Sequence, residues 1–303
     1  MSHRDVVSFA RARTPRLLLL LAALLTLLAG AVEAQGAHKI VFLAGPKDHG
    51  APGRHEYEKD LRVLAASLEN ATNVTGITTE VFVGPAPRDP AVYRDAAAIV
   101  IHSSSDRLET ETHPLFPSDP TTNGRSYDDE TLAFLRQIDS LAANGMGVVV
   151  FHYANWVENW HARGRFLAWT GGLWVQMASR NPVDQWAMQP APAAAEHPIL
   201  RGVRPWSYRD EIFSRFFLPP NDDRRSDLLI GTPEQDRQAI GPQVASFAYE
   251  REGGGRGFVY GGVDFHDNLA IDDYRRFLLN GIVWAAGLEV PEGGVDSPAP
   301  ALP

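Results

Sequence analysis

The sequence contains no cysteine, and that absence removes structural disulfides, thiolate nucleophiles and thiolate metal sites, leaving His, Asp and Glu as the ligand types. It also lacks an excess of positive charge. With 28 Lys and Arg against 37 Asp and Glu the formal charge is −9, and no basic run lies beyond residue 34. A nucleic-acid backbone and an anionic membrane surface are therefore poor partners. Long apolar runs are scarce as well: Leu17 to Leu28 is too short to span a bilayer comfortably as a mature helix.

That run has a specific setting. Arg4, Arg11, Arg13 and Arg16 precede it, small residues follow at Ala29, Gly30 and Ala31, and Val32-Glu33-Ala34 offers modest side chains where a signal peptidase inspects. The pattern predicts a signal peptide over residues 1–34, cleavage before Gln35, transport across the inner membrane and residence in the periplasm. No stable membrane insertion is expected afterwards. An uncleaved anchor is the alternative, but no charged stop-transfer cluster follows. Cleavage removes four arginines, Asp5 and Glu33, taking the charge from −9 to −11 and leaving 269 residues, enough for one large core or two small ones. One domain is expected over residues 35–290. The remainder, 291–303, beginning Pro291-Glu-Gly-Gly-Val-Asp-Ser-Pro-Ala-Pro, is too poor in apolar residues to pack and is expected to be disordered.

Within the domain, Lys39-Ile-Val-Phe-Leu43 reads as a buried strand, and Tyr57, Leu61, Leu64 and Leu68 mark one face of a helix ending near Asn70. Strands follow at Thr79–Val83 and Ala97–Ile101. Ser126-Tyr-Asp-Asp129 resembles a capping box for a helix through Leu132, Leu135, Ile138 and Leu141, stopped by Asn144-Gly145 ahead of the apolar strand Gly147–Phe151. Asp227–Gly231, Val244–Tyr249 and Gly257–Tyr260 are further strands, the last two forming a hairpin, and Asp272 is read as the cap of a final helix closed by Gly287. The alternation predicts an α/β fold: a mainly parallel sheet with helices on both faces and a C-terminal hairpin. In such sheets ligands bind beyond the carboxyl ends of the strands.

Three loops at those ends carry the unusual chemistry. The first, Gly45 to Tyr57, holds His49, His55 and Glu56 among glycines, a set able to ligate a divalent metal or position a base; loop polarity and helix capping are the plain alternative. In the second, His152 follows an apolar strand where an α/β enzyme would place a nucleophile, and imidazole there suits a base or a ligand. A histidine satisfied by backbone groups would look the same. The third, Gly261 to Asn268, releases Asp264, His266 and Asn268. Elsewhere, Asp210 and Glu211 offer adjacent carboxylates, of which a strand can point only one inward. Tyr153 and Trp156 lie beside His152, and Trp156 stands out from a Trp-rich stretch as a stacking surface for a sugar, although core packing explains most of that stretch.

These segments together resemble the ThuA-like family, named for trehalose utilisation, whose fold is similar to class I glutamine amidotransferases and other flavodoxin-like proteins. The resemblance covers about residues 38–292. It rests on His49-Gly-Ala-Pro-Gly-Arg-His-Glu-Tyr57, Phe151-His-Tyr-Ala154, Glu196-His-Pro-Ile199, Arg209-Asp-Glu211 and Ala248-Tyr-Glu-Arg251 through Gly254-Gly-Arg-Gly-Phe258. It implies a sugar-related role. The sequence departs from relatives in lacking a histidine after Gly171-Gly172 and in keeping one histidine where relatives often have two, at Val263-Asp-Phe-His266. Amidotransferase chemistry is excluded, since no thiolate is available.

Two function classes remain. The first is an enzyme acting on a small carbohydrate or oxidised sugar, with His152 and Glu211 catalytic, a divalent metal of unspecified identity on His49, His55 and His266, and substrate held by Tyr153, Trp156, Asp210, Asp264 and Asn268. The second is a carbohydrate-binding or degenerate scaffold protein that has lost the chemistry.

Overall fold

The computed structural model describes Met1 and residues 38–105, 113–116 and 127–302. The expected signal peptide, residues 1–34, lies outside them, as does Ser126. The described residues from 38 to 302 belong to one compact unit. No described helix is long and apolar enough to cross a membrane.

Among the described residues nine strands form one sheet: β1 (His38–Ala44), β2 (Ile77–Val83), β3 (Ala96–His102), β4 (Gly147–Phe151), β5 (Val183–Pro190), β6 (Trp206–Glu211), β7 (Arg225–Pro233), β8 (Gln243–Glu250) and β9 (Arg256–Tyr260). Their order is β2-β1-β3-β4-β9-β8-β7-β5-β6. The ladders from β2 to β9 are parallel, and every ladder from β9 outward to β6 is antiparallel. The expected mainly parallel sheet is thus corrected to a parallel half joined to an antiparallel half. Parallel neighbours need long crossovers, and the helices supply them in the first half; the short link between β8 and β9 permits only a hairpin.

Period-two alternation sends Ile40, Phe42, Val100 and Phe151 to one face and Val41, Leu43, Ile101 and Val150 to the other, all buried in separate cores. Helices α1 (Tyr57–Glu69) and α4 (Asp272–Ala285) cover the first face, and α2 (Asp129–Ala143) and α3 (Trp160–Thr170) the second. Tyr57, Leu61, Leu64 and Leu68 do form the buried stripe of α1. The cap of α2 is Asp128, whose side chain accepts from Thr131 N at 2.6 Å. In α4 the residue preceding the helix is Ile271, and Asp272 is its first residue, paired with Arg275 at 2.7 Å.

Two expectations fail for physical reasons. The Trp-rich stretch, given no helix or strand by its sequence pattern, contains α3 and β5, where Trp186 and Met188 alternate inward. The C-terminal residues are packed rather than frayed: Val290 and Val295 are buried, Val295 N donates to Asn280 Oδ1 at 2.7 Å, and Thr72 N donates to Asp296 O at 2.8 Å. Two valines and a buried amide are enough to seat this short segment.

Candidate active site

Four chain segments meet beyond the carboxyl ends of the parallel strands. The loop after β1 carries Arg54 and His55, the turn after β4 carries His152, the end of β6 carries Glu211 and the loop after β9 carries Asp264. His55, His152, Glu211 and Asp264 are all buried, and one ligand atom from each lies within 4.8 Å of the others. This group could hold a metal ion. Its positioning is strained: His55 and His152 adopt φ of 51° and 52°, and Val263, next to Asp264, adopts 86°, a left-handed value that a β-branched side chain rarely tolerates.

Specific contacts maintain that strain. Asp210, wholly buried, accepts the backbone N–H groups of Val263, Asp264 and Phe265 at 3.2 Å each. A Cβ at residue 262 would lie 2.8 Å from Asp210 Oδ2, so the loop needs glycine at this point to reach its clamp. His152 Nδ1 donates to Gly261 O at 2.9 Å, which fixes the tautomer and leaves Nε2 bare. That Nε2 is buried without a hydrogen-bond partner, as is Asp264 Oδ1. His55 Nε2 lies 3.3 Å from the same Oδ1.

The group borders a cavity of about 370 Å³, lined also by His49, Tyr153, Trp156, Asn181 and Phe213. Arg54 joins its two carboxylates, donating from Nε to Asp264 Oδ2 and from Nη2 to Glu211 Oε2, each at 2.6 Å. Asn181 Nδ2 donates to Glu211 Oε1 at 2.7 Å. Burial drives the His152 pKa down to about 3. His55 falls to about 2 through burial and the neighbouring His152, with Asp264 opposing the shift. Glu211 rises to about 7 because of burial and the Asp264 charge, against the pull of Arg54. Both imidazoles therefore stay neutral near pH 7, the state that ligates a metal or accepts a proton.

Other residues singled out from the sequence are placed differently. His266, expected as a metal ligand, turns away and sets its Nδ1 2.6 Å from Asp60 Oδ1, while His102 Nε2 approaches the other Asp60 oxygen at 3.2 Å. His49 lines the cavity but is outside the four-residue group; its ring lies 4.0 Å from that of His55 and its Nδ1 2.6 Å from Asp48 Oδ1. Asp210, expected to bind substrate, spends its oxygens on the loop backbone. Asn268, likewise expected to bind substrate, donates to Arg209 O at 3.0 Å and is not among the residues lining the cavity. Trp156 reaches the cavity only beside its packing partners, with rings of Tyr153 at 5.3 Å and Trp174 at 4.3 Å against it, so it offers no open stacking face.

Arg54, Asn181, Asp60 and His102 were not singled out. Arg54 lies inside a loop already marked by its histidines, but its partners are 157 and 210 residues away in sequence. No local signal links them.

A buried group of two imidazoles and two carboxylates at the mouth of an α/β sheet defines this as an α/β protein with a candidate metal-dependent site. The model of the family described as "ThuA: trehalose utilisation" matches residues 94–285, and the chain belongs to that family. His152, Glu211 and Asp264 fall inside the match, whereas Arg54 and His55 precede it. The fold is similar to a ThuA-like protein of Parabacteroides merdae ATCC 43184, with 16% identity, a TM-score of 0.55, and coverage of 88% of this chain and 98% of that one. It is likewise similar to a ThuA-like protein of Bacteroides uniformis ATCC 8492, at 11% identity and a TM-score of 0.56, covering 82% of this chain and 91% of that one. At such identities the likeness concerns fold alone. No curated protein matches the chain.

Proposed function

We propose that this protein is exported to the periplasm and there acts as a divalent-metal-dependent enzyme on a small carbohydrate or oxidised (keto) sugar, by hydrolysis, isomerisation or elimination. The observation that carries this reading is the convergence of His55, His152, Glu211 and Asp264 beside a cavity of about 370 Å³. The donor set fits a cation on two counts. His152 Nε2 and Asp264 Oδ1 are buried polar atoms without hydrogen-bond partners, a costly state in a dry interior. The 3.3 Å between His55 Nε2 and Asp264 Oδ1 also matches the edge of a tetrahedron with metal bonds of about 2.0–2.1 Å.

His55, His152 and Asp264 are the residues that would hold the ion, which when bound polarises a sugar carbonyl or acidifies a water molecule. Gly261 O keeps the proton of His152 on Nδ1, so Nε2 always faces the group as a lone pair. Glu211, steered by Arg54 and Asn181, stands at the cavity wall where a carboxyl can exchange a proton with substrate. Support for a sugar comes from the family description and from a cavity that combines aromatic edges with a few polar groups.

A second reading is a carbohydrate-binding protein without chemistry. It is favoured by Arg54, which already engages both carboxylates. Metal analysis of purified mature protein, with His152→Ala and His55→Ala alongside, separates the two. The enzyme reading expects about one divalent ion per chain in the parent and a loss of roughly 100-fold or more in metal affinity in either variant. No bound metal, with sugar affinity unchanged in both variants, would sink it; sugar-dependent thermal stabilisation without turnover would then favour the binding protein.

A further inference from the structure

The carboxylates of the cavity share a cation supplied by the chain itself. Arg54 engages Asp264 Oδ2 and Glu211 Oε2, each at 2.6 Å, and its guanidinium lies over the Phe265 ring, 5.0 Å from the centroid. Asn181 takes Glu211 Oε1 at 2.7 Å. Of the four carboxylate oxygens, only Asp264 Oδ1 is left without a hydrogen bond. What remains free to ligate is therefore two imidazole nitrogens and one oxygen.

We infer that Arg54 decides which class of metal this site accepts: by tying up one oxygen of each carboxylate, while Asn181 holds the other oxygen of Glu211, it converts an oxygen-rich group into a two-nitrogen, one-oxygen set suited to Zn(II) or Co(II) and unsuited to Ca(II) or Mg(II). The inference rests on the metal reading of the cavity given above. Its physical basis is the demand of each ion. Calcium takes about six to eight oxygen ligands, commonly with bidentate carboxylates, and magnesium wants near-octahedral oxygen. Imidazole-rich sets of low coordination number favour zinc and its transition-metal neighbours. An arginine fork on both carboxylates denies the first two ions the oxygens they need, and the planar guanidinium holds its two acceptors in a fixed geometry that the point charge of an ammonium does not impose. Arg54 is in this sense a positioning residue, acting through Asp264 and Glu211.

Arg54→Met and Arg54→Lys test this on the full mature chain, by titration with Zn(II), Co(II), Ca(II) and Mg(II) and by the visible spectrum of bound Co(II). The parent should prefer Zn(II) over Ca(II) by about 100-fold or more, and Arg54→Met should narrow that ratio at least about tenfold through tighter Ca(II) binding. The Co(II) spectrum should shift toward higher coordination in the same variant, and Arg54→Lys should fall between. A ratio and spectrum unchanged in Arg54→Met would overturn the inference alone. If Arg54→Met fails to fold, an unchanged ratio in Arg54→Lys overturns it equally. If neither ion class binds the parent, the metal reading fails and this inference fails with it.

Discussion

Two buried clusters of histidine and carboxylate lie close together in this molecule, and they behave differently. In one, His55, His152, Asp264 and Glu211 converge beside a cavity that His55 and Glu211 line, with His152 Nε2 bare and the carboxylates tied to a guanidinium. In the other, Asp60 receives His102 and His266 on its two oxygens, joining the start of α1, the end of β3 and the loop after β9. The clusters are neighbours: the rings of His102 and His152 are 6.4 Å apart. Residue type is nearly the same in both. What differs is where the lone pairs go. In the first cluster His152 spends its proton on the backbone and its lone pair faces the group; in the second the N–H groups are spent on a carboxylate that bolts three segments together. One is arranged to receive something, the other to hold the scaffold.

That contrast can be broken by experiment. The largest effect after loss of a ligand should come from Asp210, because it clamps the strained loop that aims Asp264. In Asp210→Asn half of the acceptor capacity becomes an NH₂ facing backbone N–H groups, and metal affinity should fall about 10–100-fold, the usual cost of losing an outer partner. Calorimetric metal titration of the variant checks this. An affinity within threefold of the parent would show that the loop does not need its clamp.

Asp60→Asn and His266→Ala should affect the scaffold instead. Leaving a buried donor unpaired costs about 1–3 kcal/mol, so denaturant midpoints should drop while metal affinity changes by less than about threefold. If His266→Ala instead abolished metal binding, the division between the clusters would collapse.

The smallest effect concerns acid. His113, in neither cluster, is wholly buried and stacks on Phe116, and burial lowers its pKa to about 3. The unfolded chain takes up that proton near the ordinary value of about 6.5, so acid favours unfolding. Stability should be full above pH 6.5 and decline toward pH 3. His113→Leu should flatten that decline by at most about 1.4 kcal/mol per pH unit, measured by urea unfolding across the range. An identical slope in parent and variant would exclude this histidine as a source.

Much of the scaffold was legible because its signals are local. The five apolar residues Gly147–Phe151 formed β4 as read, and the four-three-four spacing of Tyr57, Leu61, Leu64 and Leu68 gave α1 its buried face. The strands β1, β3 and β4 lie side by side, so the loops at their carboxyl ends share one edge of the sheet, but that the loop after β9 joins them is settled only by the fold. The antiparallel half was harder to see. Trp186 and Met188 alternate on β5, but the surrounding tryptophans, glycines and prolines resemble loop sequence. For the site, His55, His152, Asp264 and Glu211 are all among the residues the sequence marks, whereas His266 pairs with Asp60 and Arg54 carries no local mark. Nothing in the spacing of His266 could reveal Asp60, which lies 206 residues earlier.

From the sequence alone come the absence of thiol chemistry, the acidic charge and the histidine-bearing loops at strand ends, because composition and short-range periodicity are properties of the chain itself. Only the tertiary structure decided which histidine faces the cavity, which carboxylate clamps backbone and which carboxylates share Arg54. Those assignments depend on atoms brought within 3 Å by segments more than 150 residues apart, and a linear pattern carries no record of that distance.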